Sequence, residues 1–212
     1  MIRVLLADDH ATVRAGMRLM LETATDIEIV GEAADGAVAV RQASALRPDV
    51  VLMDIRMPGT DGIRATREIT AAGHADVLVL TTFDLDEYLF GALRAGAAGF
   101  LLKSVEPATL IDAVRRIAAG DGILAPEVTR RLLSAFAETP APNTAPAALD
   151  HLTDRERDVL AALGRGLSNA DLAGELAITE ATAKTHVSRV LAKLGCTSRV
   201  QAAILAKEAG IS

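Results

Sequence analysis

Five residues spread over the first 103 are of types that could do chemistry together. Asp8 and Asp9 follow the apolar run Ile2–Ala7, Asp54 follows Val50–Met53, Thr81 follows Val77–Leu80, and Lys103 follows Gly99–Leu102. Three carboxylates in one place repel one another unless a hard cation joins them, and Mg²⁺ favours such oxygens together with water. A threonine hydroxyl and a lysine ammonium beside them could hold the oxygens of a phosphoryl group. Asp54 would then be a nucleophile that forms an acyl phosphate while the metal offsets charge in the transition state. Taken singly, an acidic pair after a strand is ordinarily a solvated helix start, and a lone lysine there is ordinarily a surface charge. The weight comes from their common position at the end of an apolar run.

That position requires particular elements. A fifth apolar run lies at Ile27–Ala33, and between the runs come stretches with helical spacing, such as Val13, Met17, Met20 and Leu21, or Leu110, Val114 and Ile117. Alternation of five strands with five helices predicts an α/β domain with an open parallel sheet covered by helices on both faces. Near-continuous apolar strands fit a sheet buried on both sides. Ligands of such sheets gather outside the carboxyl ends of the strands, where all five candidate residues fall.

The chain has 212 residues, a formal charge of −6 and only five aromatic side chains, with no Trp. Scarce aromatics exclude a base-stacking single-strand binder. The one cysteine, Cys196, excludes an internal disulfide framework or a multi-Cys zinc site, and with the absence of a membrane-length apolar run it predicts a cytoplasmic protein. Net acidity taken over the whole chain disfavours DNA, but the charge is unevenly placed. Residues 1–119 carry −5, residues 120–150 carry −2, and residues 151–212 carry +1. Within the last part, Lys184, Arg189, Lys193 and Arg199 stand against Glu180 alone over residues 179–199. Residues 120–150 read as a linker with a short helix and an Ala/Pro-rich segment, holding three of the seven prolines after Glu138.

Residues 151–212 read as four helices. Thr153 and Glu156 form a capping-box pattern, Ser168 precedes a helix at Asn169–Ala177, Thr179 starts a longer helix ended by Gly195 after Leu194, and Ser198 starts a fourth. The short turn between the second and third of these makes a helix-turn-helix unit. On the third, Val187, Val190, Leu191 and Leu194 have core spacing, while Lys184, Thr185 and Ser188 share an exposed side suited to a DNA major groove. From composition alone an ordinary amphipathic helix with solvated charges is the better explanation.

Two resemblances decide these readings. Asp8-Asp9, the stretch Val51-Leu-Met-Asp54-Ile-Arg-Met-Pro58-Gly59-Thr-Asp-Gly62, Leu80-Thr81-Thr82 and Gly99-Phe100-Leu-Leu-Lys103 resemble the receiver domain of two-component response regulators over residues 1–119. The resemblance implies a flavodoxin-like strand order 2-1-3-4-5 and phosphorylation of Asp54 by a histidine kinase. It also implies Mg²⁺ held by Asp9, Asp54 and the backbone carbonyl of Arg56, with Asp8 acting partly through water. Thr81 and Lys103 would contact the phosphoryl oxygens, and Phe100 stands at the family's aromatic switch position. Lys103-Ser104 departs from the Lys-Pro of many receivers. His10 reads as a polar residue at a helix start.

Leu152-Thr-Asp-Arg-Glu156, Gly166-Leu-Ser-Asn169, Thr182-Ala-Lys184-Thr185-His186-Val-Ser188-Arg189 and Lys193-Leu-Gly-Cys-Thr-Ser198-Arg199 resemble the LuxR-type DNA-binding domain. That implies base-edge contacts from Lys184, Thr185 and Ser188, and phosphate contacts from Thr182, Arg189, Lys193 and the Ser198-Arg199 region. Glu156 would be structural, tied to the side of the recognition helix. The order of parts resembles NarL/FixJ-family response regulators. The implied function is a DNA-binding transcription regulator that dimerises on phosphorylation, with the Val200–Ala206 surface pairing DNA-binding domains. Its partners would be a sensor histidine kinase and double-stranded DNA, with no membrane. Two alternatives stay open: an Mg²⁺-dependent phosphohydrolase, which Arg56 disfavours because such enzymes commonly place an acid there, and a phosphorylation-independent DNA binder whose receiver serves only assembly.

Overall fold

A computed structural model describes residues 1–81, 85–124, 149 and 151–211. The first part alternates β1 (Ile2–Ala7), α1 (Ala11–Leu21), β2 (Ile27–Ala33), α2 (Gly36–Leu46), β3 (Val50–Asp54), α3 (Gly62–Ala71), β4 (Asp76–Thr81), α4 (Leu85–Arg94), β5 (Gly99–Leu102) and α5 (Pro107–Ala118). All strands are parallel in the order β2-β1-β3-β4-β5, as the resemblance implied, and a two-residue β6 (Ile123–Leu124) adds to the β5 edge. β6 lies in the segment read as linker; two residues are too few to show a periodic signal. The remainder of that segment up to residue 148, with its expected short helix, lies outside the described residues.

Helix α1 packs on α5 on one face of the sheet, and α2, α3 and α4 pack in a row on the other. β3 is therefore covered on both sides and buried along its whole length, which is why it reads as an unbroken apolar run closed by one aspartate. Fully buried residues of this core include Leu5, Leu6, Leu52, Leu78, Phe100 and Val114. Each such aliphatic side chain contributes roughly 1.5–3 kcal/mol relative to exposure.

The register sets the chemistry. Ala7 lies beside Met53, Asp54 beside Leu80, and Thr81 beside Leu102. The residues that follow, Asp8 and Lys103, therefore flank Asp54 and Thr81 at one edge. Gly62 allows α3 to close on that edge: its N–H donates to the Ile55 carbonyl at 2.9 Å, and a Cβ added there would sit 1.9 Å from the Asp54 carbonyl oxygen.

The second part contains α6 (Asp154–Gly164), α7 (Asn169–Leu176), α8 (Glu180–Leu194) and α9 (Arg199–Glu208). Helices α7 and α8 pack together, and α6 packs on α8 and α9. Thr153 and Ser168 cap α6 and α7 with complete capping boxes, and Gly195 ends α8 in the left-handed region at φ 66°. Helix α7 stops one residue short of the expected Ala177, because Ala177 itself takes the left-handed conformation at φ 53° and turns the chain into α8. The apolar faces meet in a core of Val159, Leu160, Leu163, Leu172, Val187, Val190 and Ala202.

Glu156 performs two structural tasks. Its Oε2 accepts from the Thr153 N–H at 2.8 Å and pairs with Lys193 Nζ at 2.7 Å, tying α6 to the last turn of α8. The Lys193 bond, aided by the Thr153 N–H, holds its carboxyl at about 2 rather than 4.5. A depressed carboxyl stabilises the fold fully above its unfolded value and loses that contribution as pH falls toward its folded value. Two predictions follow from these positions. The melting-temperature gap between wild type and Glu156→Gln should be constant above about pH 5 and close as pH approaches about 2, measured by circular dichroism. Gly62→Ala should destabilise the first domain by on the order of 3 kcal/mol, seen as a lower urea midpoint at unchanged slope.

Candidate phosphoacceptor site and nucleic-acid interface

The sheet brings Asp8, Asp54, Thr81 and Lys103 together at one edge, with Asp9 next to Asp8 in the loop that follows β1. Lys103 Nζ lies 2.6 Å from Asp8 Oδ2 and 2.9 Å from Asp54 Oδ1, bridging the two carboxylates across the ends of β1 and β3. The Lys103 N–H donates to the Thr81 carbonyl at 2.7 Å, fixing the loop after β5 against the end of β4. Asp8 is wholly buried, and Asp54 and Thr81 nearly so. The Ile55 N–H donates to Asp54 Oδ1 at 2.9 Å, which orients that carboxylate toward Lys103. Phe100, on β5 opposite Val79 of β4, is fully enclosed in the core. The Lys103–Ser104 peptide bond is trans. Thr82 and Phe83 lie outside the described residues.

Burial raises the Asp54 carboxyl above its ordinary value; Lys103 opposes this, and the Asp8 charge adds to it. Burial also pulls the Lys103 ammonium down, but its bonds to Asp8 and Asp54 outweigh that and leave it raised. Lys103 thus stays charged, with more than one carboxylate around it. His10 is the N-cap residue of α1, consistent with a helix start, and its ring nitrogen Nδ1 also lies 2.7 Å from Asp9 Oδ1. Asp8 Oδ2 and Asp9 Oδ1 are both buried, the first facing Lys103 Nζ and the second His10 Nδ1, with no further partner among the described residues. Anionic oxygens with one close nitrogen each fit the donor set of a hard divalent cation. A cleft of about 520 Å³ opens beside them, lined by Asp9, Arg56, Met57, Pro58, Asp61, Ile63 and Tyr88.

In the second domain, Thr182, Lys184, Thr185, Ser188 and Arg189 are exposed on α8, while Ala183, Val187 and Val190 face the core. The Thr185 and Ser188 hydroxyls donate to the carbonyls of Ala181 and Lys184, both at 3.0 Å, so each remains free to accept a bond from outside. Lys193 is the exception on this helix, because its ammonium is engaged by Glu156.

Ser198 and Arg199 are not displayed with the others. Ser198 is buried and caps α9 by accepting from the Gln201 N–H at 3.3 Å. Arg199 reaches into the first domain, where Nη1 donates to Asp121 Oδ1 at 2.6 Å and to the Gly120 carbonyl at 2.9 Å, while Nη2 holds the Leu167 carbonyl of its own domain. Burial pulls its guanidinium down, against the attraction of Asp121. The Asn169 N–H donates to the same Asp121 oxygen at 3.1 Å, and Gln201 Nε2 donates to the Arg94 carbonyl at 2.9 Å. Val200 packs into the apolar cluster of the first domain. Within the Val200–Ala206 stretch, expected to meet a second copy, Val200, Gln201 and Ile204 instead meet the receiver here. Between the domains lies a cleft of about 210 Å³ lined by Asp76, Gly120, Asp121, Asn169, Lys184 and Ser188. No short-range sequence signal pointed to Asp121, since its side-chain partners Asn169 and Arg199 lie 48 and 78 residues away.

The comparisons with known proteins agree with this geometry. Residues 4–115 match the model of the response regulator receiver domain, and residues 150–206 match that of the bacterial regulatory proteins of the luxR family. The transcriptional regulatory protein LiaR of Bacillus subtilis is 41% identical over 207 residues, covering 97% of each chain. YxjL of the same organism is 40% identical over 99% of this chain and 97% of its own. The crystal structure of the response regulator ChrA, from a heme-sensing two-component system, matches 100% of this chain and 98% of its own at 42% identity, with a TM-score of 0.56. An acidic pocket built on a five-stranded parallel sheet, joined to a LuxR-type helix-turn-helix, places this chain in the NarL/LuxR family of two-component response regulators.

Proposed function

We propose that this protein is a phosphorylation-controlled transcription regulator. The observation that carries the reading is the Lys103 bridge between Asp8 and Asp54, on the same chain as a helix whose basic-polar face abuts the receiver. A sensor histidine kinase would supply the phosphoryl group to Asp54. Asp9, Asp54 and the Arg56 carbonyl would hold Mg²⁺, with Asp8 acting partly through water, and the ion would supply positive charge against the phosphoryl oxygens. Asp54 would attack phosphorus through the carboxylate oxygen that Lys103 and the Ile55 N–H orient, its O–P bond forming as the phosphorus–nitrogen bond to the kinase histidine breaks and the imidazole leaves. Once phosphate occupies the pocket, Lys103 and the Thr81 hydroxyl take its oxygens, and Phe100 repacks with Thr81. Hydrolysis of the acyl phosphate would be slow self-dephosphorylation rather than a dedicated enzymatic turnover.

In the unphosphorylated protein, docking holds the α8 face against Asp76, Gly120 and Asp121. Phosphorylation would shift the balance toward an undocked form that pairs into a homodimer and sets two α8 helices on related half-sites. Lys184, Thr185 and Ser188 would then read base edges. Thr182, Arg189 and Lys193 would take phosphates, and undocking would free Arg199, beside Ser198, to join them. The apparent DNA affinity of a partly docked protein is its intrinsic affinity reduced by the undocked fraction.

A titration of a selected DNA fragment, with and without a small-molecule phosphodonor, on wild type and Asp54→Ala tests the switch. Wild type alone should gain affinity and dimerise on treatment; equal affinity and oligomeric state in all four samples would sink the reading. Asp121→Ala should raise the DNA affinity of untreated protein, by about tenfold for a 1.4 kcal/mol shift of the docking equilibrium. Lys184→Ala should weaken specific binding by about 1–3 kcal/mol and relax the preference at one base position; an unchanged preference would reduce Lys184 to a phosphate contact.

A further inference from the structure

The acidic loop Asp8–His10 carries two of the three pocket carboxylates, yet belongs to no regular element. Its conformation is set from outside. The Asp8 N–H donates to the Ala33 carbonyl at 3.1 Å, and the His10 N–H donates to Asp8 Oδ1 at 2.8 Å. The third tie comes from Arg14, in the first turns of α1. Its Nη1 donates to the Asp8 carbonyl at 2.6 Å, while its Nε donates to Glu32 Oε2 at 3.0 Å. Glu32, on β2, is itself clamped: Arg18 takes Oε1 through Nε at 2.9 Å and Nη2 at 2.7 Å, and Gln42 Nε2 donates to the Glu32 carbonyl at 2.8 Å.

We infer that Arg14 is a positioning residue for the metal-binding loop, pinning the Asp8 carbonyl from a guanidinium anchored on Glu32 and so fixing where the Asp9 carboxylate points. The inference rests on the reading that Mg²⁺ binds this pocket. The Asp8 carbonyl and the Asp9 N–H belong to one rigid peptide plane. Fixing the oxygen therefore fixes the direction from which the Asp9 backbone and side chain depart. Asp8 has a second restraint on its side chain in Lys103, so the peptide pin matters most for Asp9.

Geometry rather than charge is the mode of action. A bare guanidinium beside the carboxylates would oppose a divalent cation. Glu32 offsets that charge, and the Arg18 and Arg14 bonds hold the Glu32 carboxyl below its usual range, so it stays ionised. The two bonds of Arg14 leave from different nitrogens of a planar fork, which a lysine ammonium cannot reproduce while keeping its charge. Partners of this kind typically change metal affinity by about 10–100-fold when removed.

The test is a calorimetric titration of the full-length protein with Mg²⁺ alone, on wild type, Arg14→Lys and Arg14→Met, beside metal-free thermal melts and the amide NMR shift of Asp9. Both variants should bind Mg²⁺ at least about tenfold more weakly and move the Asp9 amide, while core amides such as that of Val51 stay in place. Wild-type affinity in Arg14→Lys together with tighter binding in Arg14→Met would make Arg14 a repelling charge and overturn the inference. Unchanged affinity in both, with lowered melting temperatures, would make it a staple between α1 and β2 and overturn it equally. Should Arg14→Lys fail to fold, Glu32→Gln decides: several-fold weaker Mg²⁺ binding supports the anchored pin, and unchanged binding overturns it. A wild type that does not bind Mg²⁺ would instead remove the metal reading beneath the inference.

Discussion

Three carboxylates cannot share a buried corner without a cation, and the first domain is organised around that constraint. Parallel register carries Asp8 and Asp54 to the same edge, where burial works against ionisation of Asp54. Lys103 supplies one positive charge and divides it between two of them. Asp9 is left against the edge of the His10 ring. A single ammonium does not balance three acids, so the pocket keeps a deficit of positive charge that a divalent ion would fill and a phosphoryl group would then partly reverse. The apolar strands, the absent side chain of Gly62 and the Arg14–Glu32 pair all serve to hold negative charges where chemistry, not stability, wants them.

The same electrostatic logic runs between the domains. The receiver is acidic and the α8 segment basic, so the receiver can offer to α8 what a DNA backbone offers: negative charge at close range. Asp121 pairs with Arg199, and half-buried Asp76, its carboxyl raised by burial, feels the charge of Lys184 across the cleft. On the proposed reading, docking and DNA binding draw on overlapping cations, Arg199 and Lys184, and cannot both be satisfied in full. The competition needs no large interface, because the rival ligand supplies many charges and the receiver supplies two at this edge.

What the sequence disclosed and what it hid divide along contact range. The strands were legible because each carries a run of apolar residues, near-continuous in the central ones, and the helix entries were legible because Thr153, Ser168, Thr179 and Ser198 cap within three residues of themselves. The pocket was legible because Asp8, Asp9, Asp54, Thr81 and Lys103 each end a strand of the parallel sheet or follow it within two residues. Arg199 shows the opposite case. Its motif placed it with the DNA contacts, but its partner Asp121 lies 78 residues away, a distance no local pattern spans. β6 was hidden because a two-residue strand has no period, and Arg14 because nothing near it in sequence shows that its fork will meet Glu32 and the Asp8 carbonyl.

β4 joins the two ends of the problem. Thr81 closes the strand at the phosphoacceptor edge, and Asp76 opens it at the docking edge. Five steps of about 3.3 Å separate them by roughly 16 Å. A strand hydrogen-bonded on both sides does not stretch, so a change at Thr81 must pass on as a shift of packed side chains, with Phe100 lying opposite Val79 on the next strand. β5 in turn begins three residues after Gly96, where the lack of a side chain lets the turn from α4 come close to Thr197: a Cβ there would lie 2.0 Å from Thr197 Oγ1. Close-packed surfaces of this kind tolerate little overlap. A movement of the turn between α4 and β5 toward Thr197 would therefore press directly on the start of α9. That is how a small rearrangement at one edge of a sheet could decide whether a helix at the other edge faces the receiver or DNA.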